Sequence, residues 1–321
     1  MKYIIPLILI LLTSCTISGK VVQPLLKETV QEPAIYFCPR HECENFLMHY
    51  INISQKSIHC ALFDLDLENV LNLFEEKSKE IDVKIVIDNE NWDKDFGGKG
   101  IIKDTSSQFS HNKFCIFDNQ IVWTGSMNPT NNGVNKNNNN VVVIASQNLA
   151  YNYELEFKEL WNYNFGTGHK TIEPIMYLNG KKYENYFCPE DNCKKHVIDE
   201  LNSADESIYF MLFSFTDFDI ADVLVQKSKT LDVRGILEAK RVNMQYNQYR
   251  RMNNSIEIIK DKNPYTLHHK VFIIDNKTVI TGSYNPSKAG NTKNDENILI
   301  INNKNIAKLF LEEFDYLTSL E

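Results

Sequence analysis

One stretch of this chain is written twice. Tyr36-Phe37-Cys38-Pro39…Cys43 returns as Tyr186-Phe187-Cys188-Pro189…Cys193, a shift of 150 residues. Ser57–Asp88 aligns without gaps on Ser207–Glu238 at the same shift, with nine of 32 positions identical, Leu62-Phe63 and Lys77-Ser78-Lys79 among them. His111–Pro129 aligns on His268–Pro286 at a shift of 157, with eleven of 19 identical. The second copy therefore holds a seven-residue insertion between Glu238 and His268. Both copies close alike, with Ala150…Glu156-Phe157 and Ala307…Glu313-Phe314. A duplication of this kind dictates two similar folding units and organises every other reading. The 321 residues suit two domains, and 43% hydrophobic content excludes intrinsic disorder.

Within each copy strands and helices alternate. Ser57–Leu65 and Ser207–Phe215 read as buried strands, Leu67–Lys79 and Ile220–Lys229 as helices, and Val83–Asp88 and Val233–Glu238 as strands. Phe114–Phe117 with Ile121–Thr124, and Val271–Ile274 with Thr278–Thr281, flank Asp-Asn turns and read as hairpins. Val141–Ala145 and Ile298–Ile301 are further strands. Leu149–Trp161 and Asn305–Leu317 are closing amphipathic helices. The fold class is α/β with a mixed sheet in each half. The domains are residues 34–165 and 185–321, joined by a linker at 166–184. Gly166-Thr167-Gly168-His169-Lys170-Thr171 lacks the spacing of a phosphate loop and belongs to that linker.

The best-matched block carries His111-x-Lys113-x4-Asp118 and His268-x-Lys270-x4-Asp275. Residues two apart on a strand face the same way, so each histidine and lysine point into one space. Asp118 and Asp275 fall on the opposite face, where they would anchor the hairpin. Gly125-Ser126-x-Asn128 and Gly282-Ser283-x-Asn285 follow, and Ser126, Asn128, Ser283 and Asn285 are candidate substrate donors. Phosphodiester cleavage suits this set. Two lysines stabilise phosphoryl charge, one histidine attacks phosphorus, and the other serves as acid and then base. No metal or cofactor is called for. A zinc site at His268 and His269 is disfavoured, because strand neighbours face opposite sides.

Paired H-x-K-x4-D motifs resemble those of the phospholipase D superfamily, and the resemblance covers nearly all of the chain beyond its N-terminus. It implies two tandem α/β/α domains related by a pseudo-twofold axis, one active site at their interface, a phosphohistidine intermediate and no metal. It counts His111, Lys113, Asp118, His268, Lys270 and Asp275 in the catalytic set. It also implies an acidic residue downstream of each motif that orients the imidazole. Glu296 fits that place for the second motif, while its counterpart is Asn139, in the Asn135–Asn140 run, read as a lip of the site. The family's usual order makes His111 the nucleophile and His268 the acid.

At the N-terminus, Lys2, the apolar run Ile4–Leu12 and Leu12-Thr13-Ser14-Cys15 resemble a bacterial lipoprotein signal. Residues 1–14 would be removed, Cys15 would carry lipid, and 15–33 would be a tether, placing the protein outside the cytoplasm on a membrane. In an exported protein the equivalent pairs Cys38/Cys43 and Cys188/Cys193 read as local disulfides, with a shared zinc site as the alternative. Cys60 and Cys115 align with Phe210 and Phe272 and read as buried core thiols, a bridge between them being the second option.

For the substrate, 34 basic against 42 acidic residues give a net charge of −8, which weighs against nucleic acid. A membrane anchor favours phospholipid. The insertion, with Lys240, Arg241, Tyr246, Tyr249, Arg250 and Arg251, reads as a solvated amphipathic helix or as a track for single-stranded nucleic acid. Phospholipid hydrolysis by a monomer with an internal pseudo-dimer is the first expectation. A metal-independent nuclease and a catalytically weak binding module are the alternatives.

Overall fold

The computed structural model describes residues 26–93, 96 and 100–320. Cys15 and the export segment lie outside them. A short strand β1 (Leu26–Glu28) comes first. The first copy then runs β2 (Ala34–Cys38), α1 (Cys43–Ile53), β3 (Ser57–Leu62), α2 (Glu68–Lys77), β4 (Asp82–Ile87), β5 (Ile101–Lys103), β6 (Lys113–Phe117), β7 (Ile121–Gly125), α3 (Asn131–Asn135), β8 (Asn139–Ala145) and α4 (Gln147–Trp161). The second opens with β9 (Ile175–Leu178). It repeats the plan as β10 (Lys181–Cys188), α5 (Cys193–Asn202), β11 (Ser207–Leu212), α6 (Phe218–Lys227), β12 (Asp232–Leu237), α7 (Tyr249–Met252), β13 (Glu257–Lys260), β14 (Lys270–Ile274), β15 (Thr278–Gly282), α8 (Lys288–Thr292), β16 (Glu296–Asn302) and α9 (Lys304–Ser319).

Each copy builds its own mixed sheet, in the order β2-β8-β7-β6-β3-β4-β5 and, in the second, β10-β16-β15-β14-β11-β12-β13 with β9 and β1 added at the edge. Strand β3 is buried along its whole length, as expected of a strand covered on both faces. The outer face of the first sheet packs on α1 and α2 through Leu47, Ile51, Val70 and Phe74. The second packs on α5 and α6 through Val197, Leu201, Ala221 and Leu224. The inner faces share one core, in which α4 (Leu149, Tyr153, Phe157) and α9 (Ile306, Phe310, Phe314) lie between the sheets. The halves are thus α/β/α units joined through apolar packing. Helix α4 starts where Ser146 Oγ accepts from the Leu149 amide, a side-chain N-cap.

Three boundaries differ from the sequence reading. The tether does not stay free: Leu26–Glu28 pairs in parallel with β9, and the Glu28 carboxylate accepts from the Gln147 amide at 3.0 Å. Segment 26–28 therefore straps the second sheet to the first copy's closing helix. The linker is folded too, since β9 and the start of β10 form an antiparallel hairpin within 166–184. The region between Glu238 and strand β13 is turn-rich, and its only helix is the four-residue α7, because Asn247, Asn253 and Asn254 break any longer one.

Cys38–Cys43 and Cys188–Cys193 are local disulfides that close the turn from first strand to first helix in each copy. Cys60 and Cys115 are not free core thiols but a third disulfide. Strands β3 and β6 are antiparallel neighbours with Cys60 directly opposite Cys115, and this register brings the sulfurs together.

Candidate active site

The two H-x-K-x4-D motifs start just before β6 and β14. In each, the turn after the strand puts Asp and Asn in the left-handed region (Asp118 φ 55°, Asn119 φ 54°, Asp275 φ 50°, Asn276 φ 52°). The Asp118 carboxylate accepts from the Lys56 and Ser57 amides at 2.7 and 3.1 Å. Asp275 does the same for Glu206 and Ser207. Both aspartates clamp the hairpin to the start of the neighbouring strand and stand on the face away from the histidines. They belong to the motif but not to the reacting groups.

The two copies meet by exchanging short segments. Ser110 bridges Asp295, with the His111 amide donating to the Asp295 carbonyl at 2.9 Å. Asn138 bridges Leu267, with the His268 amide donating to the Asn138 carbonyl at 2.8 Å. Each motif histidine is therefore registered against the start of the other copy's strand β16 or β8, and the ring partners cross over. Glu296 Oε2 lies 2.7 Å from His111 Nδ1, not on His268 as the motif alignment implies. Asn139 Oδ1 lies 2.8 Å from His268 Nδ1. The acidic partner serves the first histidine and the amide serves the second.

His111, Lys113, His268, Lys270 and Glu296 are all buried. Lys113 Nζ donates to the His111 carbonyl at 2.6 Å and Lys270 Nζ to the His268 carbonyl at 2.7 Å. Burial, and then the two lysine charges, hold both imidazoles well below their usual range. Burial pulls Lys113 down to about 7, against the opposing pull of Glu296, Asp88 and Asp64. Lys270 is held well below its usual value by burial and then by Lys113. Burial pushes Glu296 up to about 8. The two His-Lys pairs are thus buried cation formers whose charged forms a bound anion would favour.

The Gly-Ser turns hold the ring partners. A side chain at Gly125 would strike the Asn140 carbonyl, and one at Gly282 the Asn297 carbonyl, where β7 and β15 pass β8 and β16. Ser126 Oγ donates to Asn139 Oδ1 at 3.1 Å, fixing the amide that faces His268. Ser283 Oγ accepts from the Asn297 amide at 2.9 Å, and a Ser283 hydrogen bond also favours ionised Glu296. The two serines thus act on the orienting residues. The carboxamide oxygens of Asn128 and Asn285 are buried without a hydrogen-bond partner among the described residues.

Several residues of the site escaped the motif reading. Phe63 and Phe213 stand edge-on to His111 and His268, each with centroids 4.8 Å apart, and lie beneath Lys113 and Lys270. Their signal was the Leu-Phe pair repeated in both copies. The middle residue of each motif, Asn112 or His269, turns away to a buried carboxylate on the closing helix, Glu156 or Glu313. Those glutamates were visible as the repeated Glu-Phe of the closing helices.

The model of the family described as "Cardiolipin synthase, PLD-like domain" matches residues 47–161 and 197–318, one stretch in each copy. This chain belongs to the phospholipase D superfamily. A phospholipase D of Rickettsia conorii is 30% identical over 142 residues, which is 44% of this chain and 71% of that one. The mitochondrial cardiolipin hydrolase of Chlamydomonas reinhardtii is 29% identical over 122 residues, 37% of this chain and 55% of that one. Phosphatidylserine synthase of Haemophilus influenzae superposes with a TM-score of 0.69 over 88% of this chain and 86% of its own, at 12% identity, a likeness of fold alone. Both matched stretches lie in this one chain, and each brings one His-Lys pair of a phosphodiesterase family.

Proposed function

We propose that the chain is a phospholipase D-type phosphodiesterase that hydrolyses head-group phosphodiester bonds of phospholipids through a phosphohistidine on His111. One observation carries the assignment of roles: Glu296 partners His111, whereas a neutral amide, Asn139, partners His268. His111 Nε2 attacks phosphorus while its Nδ1 proton stays toward Glu296. The phosphoimidazolium that results is positively charged, and a carboxylate offsets that charge where an amide does not. As the bond from phosphorus to the head-group oxygen breaks, His268 gives that oxygen a proton. Neutral His268 then takes a proton from water, which attacks the phosphohistidine and releases phosphatidic acid. Lys113 and Lys270 hold the non-bridging oxygens. The bound diester supplies the missing negative charge, so the site takes up protons as substrate arrives.

The rim favours lipid. Phe109 packs on Phe63 and stays exposed, as do Met244, Tyr246 and Tyr265, with the Lys136 ammonium over the Tyr265 ring. Such amphipathic side chains suit the boundary between water and acyl chains. Relatives named phospholipase D and cardiolipin hydrolase point to the same substrate class. A lipid on Cys15 would hold the enzyme, as a monomer, at a membrane surface outside the cytoplasm.

A phosphatidyl ester of p-nitrophenol tests the roles, because its leaving group needs no acid. His268→Asn should release about one equivalent of nitrophenol and stall with phosphorylated His111, found by mass mapping after alkaline quench. His111→Asn should give no burst. Phosphate on His268 reverses the roles. Cleavage of single-stranded DNA with every phospholipid inert replaces lipid by nucleic acid, and no turnover of either leaves a binding module.

A further inference from the structure

The two halves of the site are alike in their reacting groups but not in their walls. Phe63 and Phe213 are equivalent rings, each under its own lysine. The Phe213 ring carries a second cation: the Arg241 guanidinium stacks 3.9 Å from its centroid, while Lys270 Nζ is 5.0 Å from it. At the matching place in the first copy stands Asn91, whose side chain is spent on the Phe63 carbonyl at 2.9 Å. The other wall is reversed in sign. Asp64 acts on Lys113, and its counterpart in the second copy is Ser214. A site with near-twofold symmetry is thus polarised, acidic on the His111 side and basic on the His268 side.

Arg241 is also unspent. Among the described residues its guanidinium makes no ion pair, and its side-chain contacts are the Phe213 face and Met244 Sδ at 4.0 Å. It is half-buried, and Glu238, the one acidic group that acts on it, gives its own carboxylate oxygens to the Lys240 and Leu267 amides. A guanidinium that is partly desolvated, oriented by a ring and left without a carboxylate is prepared for an anion from outside.

We propose that Arg241 forms a second anion subsite that recognises an acid group on the leaving head-group alcohol of a phospholipid. This rests on the reading that His268 protonates the leaving oxygen, which places that alcohol on the His268 side, beside Arg241. The scissile phosphate occupies the two lysines. A carboxylate or second phosphate carried by the alcohol then meets Arg241, while the Asp64 wall discourages the reverse orientation. Exposed Met244, in contact with the guanidinium, gives the subsite an apolar border.

Matched head groups in detergent micelles test this. Phosphatidylserine differs from phosphatidylethanolamine by one carboxylate on the leaving alcohol, and cardiolipin differs from phosphatidylglycerol by a second phosphatidyl group, which puts a phosphate on the leaving alcohol. The wild type should prefer the first of each pair in kcat/KM. Arg241→Gln should cut that preference about tenfold to a hundredfold, the scale of one charge-assisted hydrogen bond. Arg241→Lys, which keeps the charge, should restore part of it. Melting temperatures within a degree or two of wild type would confirm that each variant folds. Lipid turnover with the preference unchanged in Arg241→Gln overturns the subsite and leaves the phospholipase reading standing. Cleavage of single-stranded oligonucleotides with all four lipids inert overturns both.

Discussion

Lys113 is a buried amine whose stability cost and catalytic use can be separated. Its pKa of about 7 in the fold lies far below the ordinary lysine value. The unfolded chain therefore binds a proton that the folded chain gives up between about pH 7 and the lysine range. In that window stability rises with pH, and below it the full penalty of burying the charge is present. Lys113→Met removes the penalty. It should raise the melting temperature at pH 6, with a gain that shrinks toward pH 10, while abolishing turnover. A variant less stable than wild type at pH 6 would show that the lysine's bond to the His111 carbonyl outweighs its desolvation. Affinity for inorganic phosphate should also fall as pH rises through about 7, since the amine that attracts the anion is then neutral. The histidines and lysines that the structure brings together were legible in the sequence because the same types recur at the same spacing in both copies. The partner of each histidine was not. Glu296 follows the second motif along the chain, but the exchange of segments at Ser110 and Asn138 carries it to His111, and no intrachain spacing encodes that crossing.

At the scale of elements, the apolar runs between polar breaks marked most strands and both closing helices to within a few residues. Elements whose reason lies elsewhere in the fold escaped. Strand β1 exists because β9 offers an open edge, and α3 and α8 are single turns capped by Thr130 and Ser287. The β3–β6 pairing shows how register completes a reading that alignment leaves open. Cys60 and Cys115 match Phe210 and Phe272, and in both copies the two residues sit directly opposite each other. One copy joins them by sulfur and the other by aromatic packing at 6.3 Å. The first bridge spans 55 residues and each local one spans 5. Constraint of the unfolded chain grows with loop length, so Cys60→Ala/Cys115→Ala should cost about 2–4 kcal/mol in denaturant unfolding, more than Cys38→Ala/Cys43→Ala. Equal losses would mean that packing, not loop closure, sets the value of these bridges.

Across the whole molecule, the halves share an apolar core, and each carries a buried glutamate at an equivalent place with different surroundings. Glu313 is fully buried, beside His269 and paired with Arg40 of the first copy. Glu156 occupies the mirrored place, but the position matching Arg40 is Glu190. With no cation supplied, burial and the charges of Asp295, Glu190 and Glu159 hold the Glu156 carboxyl well above its usual range. The folded chain therefore keeps a proton there that the unfolded chain loses, and this contribution weakens stability steadily as pH rises above the ordinary carboxyl range. Opposite outcomes follow for one chemical change at two equivalent places. Glu156→Gln keeps the hydrogen bond to Asn112 without the acid, so it should leave the melting temperature near wild type at pH 5 and raise it at pH 9. Glu313→Gln strands Arg40, about one-third exposed, and should destabilise at both pH values by about 3 kcal/mol, the low end for breaking a buried pair. Thermal unfolding of both variants at the two pH values decides it. If Glu156→Gln lowers the melting temperature at pH 9, the carboxyl is compensated in the fold, and the charge asymmetry between the halves has no energetic consequence.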